Sequence, residues 1–521
     1  MLVSSPLPQL RIGGVISMRD IRVLLLYPPN QSLPGTMCKP NGSLAYPSLG
    51  GALRRHGVEV RVYDACVGDD TESLDEVFYN SARELPTGLL RTGVSDERIL
   101  EIAAEYDVIG LTSIFTEQET MVLTTARLIR AEFPEKILVA GGVNARSRLP
   151  QFFGAGFDAI CLSEAEDTII RVVDAARASP KPVFRGIEGL AYRDGDSYRV
   201  TPTDPRAIAW QLDELPMPAW DLLPNERYWT IARPHGGAFA PGSEVRYASM
   251  MTSLGCPFQC AYCHIAGEQE GSNSGPIGKY RIKSDDRVLE ELEALKRLGV
   301  KQLFIEDDSL LGDKRRSRRL LSAIRGSGFD ILDVNGINVV HLLKRWNPDH
   351  EVLEALVDAG FKEIVLPFES GNLRILRKYA SNKLNIEKSN IQALIKACKS
   401  YGLRIAGNYM LGYPDETLDE IETTVTMAAQ HVEWGLDAAN FFLVMPLPGT
   451  PLYDLACANG NISPDFNPDT MNWTRANMAN TLVPARQLEE IRDRAWETIN
   501  PRGFREYKKT MVAGTSGKKN T

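Results

Sequence analysis

The stretch TSLGCPFQCAYCHIAG, residues 252–267, holds three of the chain's eight cysteines. Three residues separate Cys256 from Cys260, and two separate Cys260 from Cys263. A loop this short can direct three thiolates at one cofactor, and soft thiolates favour zinc or iron–sulfur clusters. Zinc sites usually combine two short hairpins, and the sequence has no second pair, although His264 could be a fourth ligand. The spacing therefore favours a cubane cluster with one open iron, with a zinc site and three unliganded thiols as alternatives.

This loop, with the aromatic Tyr262 before its last cysteine, resembles the signature of the radical S-adenosylmethionine superfamily. The resemblance implies that Cys256, Cys260 and Cys263 hold a [4Fe–4S] cluster whose open iron chelates S-adenosylmethionine. An electron from a donor such as flavodoxin or ferredoxin would then cleave the sulfonium and yield a 5′-deoxyadenosyl radical. That radical abstracts hydrogen from an unreactive carbon. The cofactors carry this chemistry, and the protein orients and shields them.

Three downstream segments resemble later elements of the same superfamily: PFESG (367–371), YMLGYPDET (409–417) and VMPLPGTPLYD (444–454). Strands alternate with helices over residues 245–460, and six such units predict an open, partial (β/α)6 barrel of the TIM type rather than a closed barrel of eight. The resemblance assigns S-adenosylmethionine contacts to Tyr262, Glu369, Ser370, Gly371, Met410, Leu411 and Met445.

Residues 21–180 alternate short apolar strands with helices, which predicts a Rossmann-like, doubly wound parallel sheet. Ligands bind such sheets at the carboxyl ends of the strands. LLLYPPN (24–30), AGGVNARSRLP (140–150) and CLSEAEDTI (161–169) resemble the cobalamin-binding domain that precedes the barrel in class B radical S-adenosylmethionine methyltransferases. A nucleotide-binding or ligand-free sheet is the alternative. The expected cobalamin contacts are Ser113, Gly141, Gly142 and Glu164.

The loop after the first strand, YPPNQS (27–32), contains no histidine. Cobalamin domains that resemble methionine synthase carry a DxHxxG motif there, whose histidine is the lower axial ligand of cobalt. The resemblance therefore implies a cobalamin without a histidine lower ligand.

The remaining segments are expected to be connections or ends. Residues 181–244 are rich in proline and turns, which predicts a linker, and residues 461–505 are expected to be a helical segment. The ends are expected to be disordered. These ends are residues 1–20 and 506–521.

Bulk composition excludes several classes of protein. The 521 residues carry a formal net charge of −8, which argues against binding nucleic acid. No apolar run reaches the ~18 residues of a transmembrane helix, and no secretory signal is present, so a cytoplasmic location is expected. The chain is long and 43% hydrophobic, enough for more than one core.

The expected reaction is methylation of an unactivated carbon, or of phosphorus, in a small molecule. One alternative keeps both cofactors but forms or rearranges rings without methyl transfer, and another is a cobalamin-binding sensor with structural zinc. Asp307, Asp308 and Asn338 at strand ends are candidate substrate contacts, and the loop 268–281 is either a substrate lid or a surface loop. The sequence indicates no catalytic residue, oligomeric state or particular substrate.

Overall fold

The computed structural model describes residues 19–36, 38–40, 42–234, 245–463 and 465–513. The amino-terminal unit is built on five parallel strands whose central members are fully buried, because helices cover both faces of the sheet. These strands are β1 (Arg22–Tyr27), β2 (Glu59–Asp64), β3 (Val108–Thr112), β4 (Ile137–Gly141) and β5 (Ala159–Cys161). The helices are α1 (Ala45–Arg55), α2 (Asp96–Ala104), α3 (Glu119–Glu132), α4 (Val143–Ser147), α5 (Leu149–Gly154) and α6 (Glu166–Ala178).

The segment expected to be a linker instead contributes to this sheet. Two antiparallel strands, β6 (Leu190–Asp194) and β7 (Ser197–Thr201), extend its edge and give the order β7-β6-β5-β4-β3-β1-β2. The expectation of a linker over 181–244 is therefore wrong for its first part. The rest of the described segment carries one short helix, α7 (Asn225–Ile231).

The second unit is an open sheet of six parallel strands in sequence order, which confirms the partial barrel. Its strands are β8 (Tyr247–Met250), β9 (Gln302–Ile305), β10 (Asp330–Asp333), β11 (Phe361–Glu369), β12 (Arg404–Leu411) and β13 (Ala438–Leu443). The helices are α8 (Asp285–Arg297), α9 (Lys314–Ala323), α10 (His350–Ala359), α11 (Leu373–Tyr379), α12 (Ile391–Ser400), α13 (Leu418–Glu433) and α14 (Pro451–Ala458).

Short elements connect these layers. They are the strands Asn30–Ser32, Arg83–Glu84 and Leu90–Thr92, which form one small sheet, the hairpins Ser253–Leu254 with Arg281–Ile282 and Leu343–Lys344 with Asn347–Pro348, and a π-helical turn at Asp75–Tyr79.

Two helices follow the barrel at the carboxyl end. α15 (Ala485–Ile499) packs against β13, and α16 (Arg502–Ala513) follows directly. Phe504 of α16 packs against small, inward-facing residues of β11, β12 and β13. It thereby closes the amino-terminal end of the barrel, which we call the barrel floor. The expected disorder from residue 506 is therefore wrong up to Ala513. Residues 1–18 and 514–521, also expected to be disordered, lie outside the described residues.

None of the helices in the described ranges is long and apolar enough to cross a membrane.

Candidate active site

The cysteine loop, residues 252–267, follows β8 and is tied to its surroundings by backbone hydrogen bonds. The amide of Cys256 donates to the carbonyl of Gly278 at 3.1 Å, and the amide of Ala261 donates to the carbonyl of Tyr379 at 2.7 Å. The loop is therefore fixed at two points, Cys256 and Ala261, by segments distant in sequence. This rigidity suits a site that must hold a cofactor in one orientation.

Gly255 makes the approach to the first cysteine possible. Its φ of +73° lies in the left-handed region, and a Cβ atom there would lie 2.4 Å from the carbonyl oxygen of Lys279. Only glycine combines this backbone conformation with this close approach.

The three thiols are held in their protonated form by the environment. Burial raises the pKa of Cys256 to about 11 and also raises the pKa of Cys260 and Cys263. A metal must therefore displace these protons and stabilise the thiolates, as it does at other thiolate sites. The ammonium of Lys383 offsets part of this rise in pKa for Cys256 and Cys260. A positive charge therefore lies beside two of the three thiols.

The arrangement fits a cubane better than a single metal ion. Within the described part of the chain, no three histidine, cysteine or acidic side chains converge on a point that could hold one ion. A mononuclear zinc site needs such convergence, whereas each thiolate of a cubane binds a different iron corner. The zinc alternative finds no ligand set among these residues.

Glu369 and Lys383 form a buried ion pair beside the cysteine loop. The Lys383 Nζ lies 2.8 Å from Glu369 Oε1, and both side chains are about nine-tenths buried. Burial alone would lower the pKa of Lys383, but the Glu369 carboxylate and the nearby thiols raise it to about 12. Glu369 has a φ of +64° at an irregularity of β11, so the backbone is strained to present this carboxylate. The hydroxyl of Tyr262 is buried close by and makes no hydrogen bond within the described part of the chain, which marks space for a polar ligand group.

Lys383 is expected to set the reduction potential of the cluster. Reduction adds negative charge, which a cation in this poorly solvated place stabilises. We expect Lys383→Met to shift the cluster's midpoint to a more negative potential and to slow cleavage of S-adenosylmethionine at least about tenfold. Redox titration followed by electron paramagnetic resonance measures the shift. Lys378→Met is the matched control, because Lys378 is exposed and pairs with Asp415; an unchanged midpoint in Lys383→Met would contradict this role.

Ser370 and Gly371, expected to contact S-adenosylmethionine, serve the packing of helices. The Ser370 hydroxyl is fully buried, accepts a hydrogen bond from the amide of Asn372 at 3.1 Å and lies 3.3 Å from Thr424 Oγ1. A Cβ at Gly371 would lie 3.0 Å from backbone atoms of α13. Their small size lets α11 begin directly against α13, and the cofactor contacts expected of Ser370 and Gly371 stay predictions.

Met410 and Leu411 point to opposite faces of β12, as successive strand residues must. Met410 joins Met445 in a buried apolar cluster against which Tyr262 packs. Leu411 is fully buried in the main core beneath the helices. Met410 and Met445 thus lie near the cysteine loop, whereas Leu411 lies in the core, and its expected cofactor contact stays a prediction.

The three candidate substrate residues are placed differently. Asp307 is fully buried and accepts hydrogen bonds from the Thr252 amide and hydroxyl, both at 2.6 Å, so it positions the start of the cysteine loop. Asp308 accepts from the amide of Gly255 at 3.2 Å, and burial raises its pKa to about 6. Asn338 is buried at the turn after β10. Asp307 and Asp308 thus both accept hydrogen bonds from the cysteine loop, at Thr252 and Gly255 respectively.

A cavity of about 310 Å³ lies between the amino-terminal sheet and the start of the cysteine loop. The carboxyl ends of β3, β4 and β5 form one wall, and residues 215–220, Met251, Leu254 and Arg287 contribute to the other. Its size is in the range of ligand pockets, and its lining is mostly apolar. No histidine belongs to its described lining.

The two glycines at this cavity differ in role. A Cβ at Gly141 would meet nothing within 4 Å, so its missing side chain leaves space in the cavity. Gly142 has a φ of +101°, and a Cβ there would lie 2.4 Å from the carbonyl oxygen of Ser113. Ser113 is buried, and its carbonyl accepts the amide of Asn144 at 3.1 Å. Gly142 and Ser113 therefore shape the turn from β4 into α4, and Gly141 opens the site.

Ion pairs join the two units beside the cavity. Glu164, expected to contact cobalamin, accepts from both terminal nitrogens of Arg281, one of them at 2.9 Å. Arg146 pairs with Glu268. Glu268 and Arg281 are the first and last residues of the loop 268–281. This loop is therefore docked on the amino-terminal unit and is no free lid.

Sequence reasoning missed Lys383. It follows Ser381 and Asn382, which both adopt positive φ in a tight turn after α11. Neither periodicity nor spacing marks such a residue, because it reaches the cysteine loop only through the fold. A polar turn of this kind is usually a plain connection.

Comparisons with known proteins agree with this geometry. Residues 250–428 match the radical SAM superfamily. The chain is 26% identical to the cytidylyl-2-hydroxyethylphosphonate methyltransferase of Streptomyces wedmorensis, covering 88% of this chain and 86% of that protein. It is 28% identical to an uncharacterised methyltransferase of Pyrococcus horikoshii, covering 91% of this chain and 89% of that one.

Among solved structures, the radical S-adenosylmethionine methyltransferase TsrM from Kitasatospora setae, with cobalamin and a [4Fe–4S] cluster bound, aligns with a TM-score of 0.60. The identity is 17%, and the alignment covers 90% of this chain and 85% of that chain. This likeness confirms the order of a Rossmann-like unit followed by a partial barrel. The chain is a radical S-adenosylmethionine enzyme, and its radical SAM domain implies a [4Fe–4S] cluster and S-adenosylmethionine as cofactors.

Proposed function

We propose that the enzyme is a cobalamin-dependent methyltransferase that methylates an unactivated carbon, or phosphorus, of a small molecule. The observation that carries this proposal is the apolar cavity between the strand ends of the first sheet and the residues just before Cys256. If the nucleotide tail of cobalamin occupied this cavity, the corrin ring would lie beside the cysteine loop. The methyltransferases named above support the same reading.

The cavity residues suit the nucleotide tail of cobalamin. Gly141 leaves room for a flat group to approach the backbone, and the apolar walls would bury a planar base. His56 pairs with Asp174 at 2.9 Å on the surface of the amino-terminal unit and is no part of the lining. These residues support a cobalamin held without a histidine below the cobalt.

The cysteine loop and its neighbours would hold the other two cofactors. Cys256, Cys260 and Cys263 would bind three irons of the cluster. Glu369, Lys383 and the unpartnered hydroxyl of Tyr262 would orient the polar groups of S-adenosylmethionine. When bound, the cofactors supply radical formation and methyl transfer, while these side chains position them and exclude water. A small donor such as flavodoxin or ferredoxin would supply the electron.

Product analysis tests this function. Anaerobically reconstituted protein with cluster and cobalamin is supplied with S-adenosylmethionine and a reductant. We expect both 5′-deoxyadenosine and S-adenosylhomocysteine, because a methylase uses one S-adenosylmethionine for the radical and another as the methyl source. Formation of 5′-deoxyadenosine without S-adenosylhomocysteine, in the presence of bound corrin, would contradict methyl transfer and favour ring formation or rearrangement.

A further inference from the structure

Two cysteines outside the cysteine loop lie close enough together to react with each other. The sulfur of Cys38, in the segment before α1, lies 3.9 Å from the sulfur of Cys66, in the turn after β2. Both are free thiols, and no other two described cysteines outside the cysteine loop make such a contact. A disulfide joins its sulfur atoms at about 2 Å, so a small movement of one side chain would close the bond.

Cys66 is the fixed member of this pair. It is 1% exposed, and its amide donates to the Oδ1 atom of Asp64 at 2.8 Å. Asp64 is itself buried and accepts a hydrogen bond from the hydroxyl of Tyr228 at 2.7 Å. Gly93 approaches the same turn so closely that a Cβ there would lie 2.3 Å from the carbonyl oxygen of Ala65. The sulfur of Cys66 is therefore held in place and shielded from solvent.

Cys38 is the more accessible member of the pair. It is half-buried, whereas Cys66 is almost completely enclosed. The hydrogen bond with Cys66 lowers the pKa of Cys38, burial and the Asp64 carboxylate oppose this effect, and the guanidinium of Arg233 lowers the pKa further. Arg233 lies over the ring of Phe78, which belongs to the apolar cluster around both sulfurs. Because the thiolate is the nucleophile in thiol–disulfide exchange, Cys38 is the thiol that reacts first.

The other described cysteines outside the cysteine loop are isolated from one another. Burial raises the pKa of Cys161 and of Cys398 to about 12, as expected of cysteines that serve only packing. Cys457 is half-buried like Cys38 but makes no contact with a second described sulfur. It therefore provides a comparison of similar exposure without a partner thiol.

The pair of Cys38 and Cys66 lies where the two units of the chain meet. Both cysteines belong to one apolar cluster with Tyr228 of α7 and Tyr247 of β8. The indole nitrogen of Trp229, also on α7, donates to the carbonyl of Tyr247 at 2.8 Å. A bond between the two sulfurs would therefore form at the contact between the amino-terminal unit and the first strand of the barrel.

We propose that Cys38 and Cys66 form a reversible disulfide by exchange with a low-molecular-weight disulfide such as glutathione disulfide. The Cys38 thiolate attacks one sulfur of the small disulfide and releases one small thiol, which leaves a mixed disulfide on Cys38. The Cys66 thiol then loses its proton, displaces the second small thiol and closes the bond. Two electrons and two protons thus pass from the two cysteines to the small disulfide, and a small dithiol reverses the exchange.

The closed bond would join two segments that are 28 residues apart in the chain. A cross-link of this span stabilises a folded chain by restricting its unfolded state. The redox state of the pair would therefore set the stability of the contact between the two units. This inference goes beyond the proposed function and does not depend on it.

Peptide mass spectrometry tests the pair in the full-length protein reconstituted with its cluster and kept free of oxygen. The protein is incubated with glutathione disulfide, the remaining thiols are alkylated, and the digest is searched for linked peptides. We expect one pair of peptides joined through Cys38 and Cys66, which separates on treatment with dithiothreitol. The iron content before and after incubation shows whether the cysteines of the cluster stay occupied.

Two variants separate the roles of the two thiols. Cys66→Ser should retain glutathione on Cys38, at least about tenfold more than on Cys457 of the same protein, because the thiol that resolves the mixed disulfide is missing. Cys38→Ser should carry no glutathione on the enclosed Cys66. Cys457→Ser is the matched control and should form the bond between Cys38 and Cys66 to the same extent as the unaltered chain.

Absence of the linked peptides from the unaltered protein would overturn the proposal. Equal amounts of glutathione on Cys38 and Cys457 in Cys66→Ser would overturn it as well, because Cys38 would then have no special reactivity. None of these measurements requires methyl transfer. They can therefore fail while S-adenosylhomocysteine is still formed, and the reverse also holds.

Discussion

Exchange of Cys260 for alanine is expected to abolish the cleavage of S-adenosylmethionine. Cys260 is the middle cysteine of the loop and only 6% exposed, so no water can replace its thiolate without rearrangement. A cubane held by three protein thiolates has no spare ligand, and loss of one leaves a second iron open. We expect the iron content to fall from about four to below about one per chain, and 5′-deoxyadenosine formation to fall at least about a thousandfold.

The matched control for this variant is Cys457→Ala. Cys457 is half-buried on α14, and its thiol is no part of the cysteine loop. It should keep iron, sulfide and cleavage activity at the level of the unaltered chain. If Cys260→Ala retained the cluster absorbance and the cleavage product, or if the unaltered protein held zinc without sulfide, the cluster assignment would be wrong.

The sequence predicts those site residues whose position depends only on their immediate neighbours in the chain. The three cysteines lie on one loop that follows β8, and Gly141 is the last residue of β4, so the sequence pattern alone places them at strand ends. Glu369 shares this property, since PFESG ends β11. Such residues can be predicted because residues within a few positions of one another in the chain are also close in space.

The remaining site residues come together only through packing. Lys383 reaches the cysteine loop from a turn after α11, where it pairs with Glu369. Ser370 and Leu411 lie beside Glu369 and Met410 in the chain, but their side chains are buried among helices and in the main core. The sequence pattern predicts where a residue lies along a strand, but the bulge at Glu369 changes which side chains of β11 face the inside of the barrel.

Two predictions about the fold, the linker over residues 181–244 and the disorder from residue 506, were wrong for different reasons. The sequence did indicate the hairpin of β6 and β7, since Gly195 and Asp196 form a two-residue turn between two strand segments. The sequence of α16 gave little indication of a packed helix. Few of its residues are apolar, and Phe504 alone makes the described contact with the barrel floor. Tertiary packing stabilises such a helix more than its own propensity does.

Exchange of Gly141 for leucine is expected to remove cobalamin while the cluster remains. The backbone of Gly141 needs no positive φ, and a Cβ there meets open space, so the fold should accept the side chain. The leucine would project into the cavity of about 310 Å³ and occupy the space proposed for the nucleotide tail. We expect bound corrin to fall at least about tenfold, because overfilling a packed site costs roughly 1–3 kcal/mol. Corrin absorbance after reconstitution and gel filtration measures the loss.

Gly142→Ala separates this steric effect from a loss of folding. Its Cβ would lie 2.4 Å from the carbonyl oxygen of Ser113 at a φ of +101°, so this smaller change should lower the unfolding temperature of the amino-terminal unit. Gly141→Leu should unfold close to the temperature of the unaltered chain, keep its iron and still form 5′-deoxyadenosine, but form no S-adenosylhomocysteine. A Gly141→Leu protein that binds a full equivalent of corrin would show that the cofactor lies elsewhere, since a cavity narrowed by four carbon atoms cannot hold the same planar group.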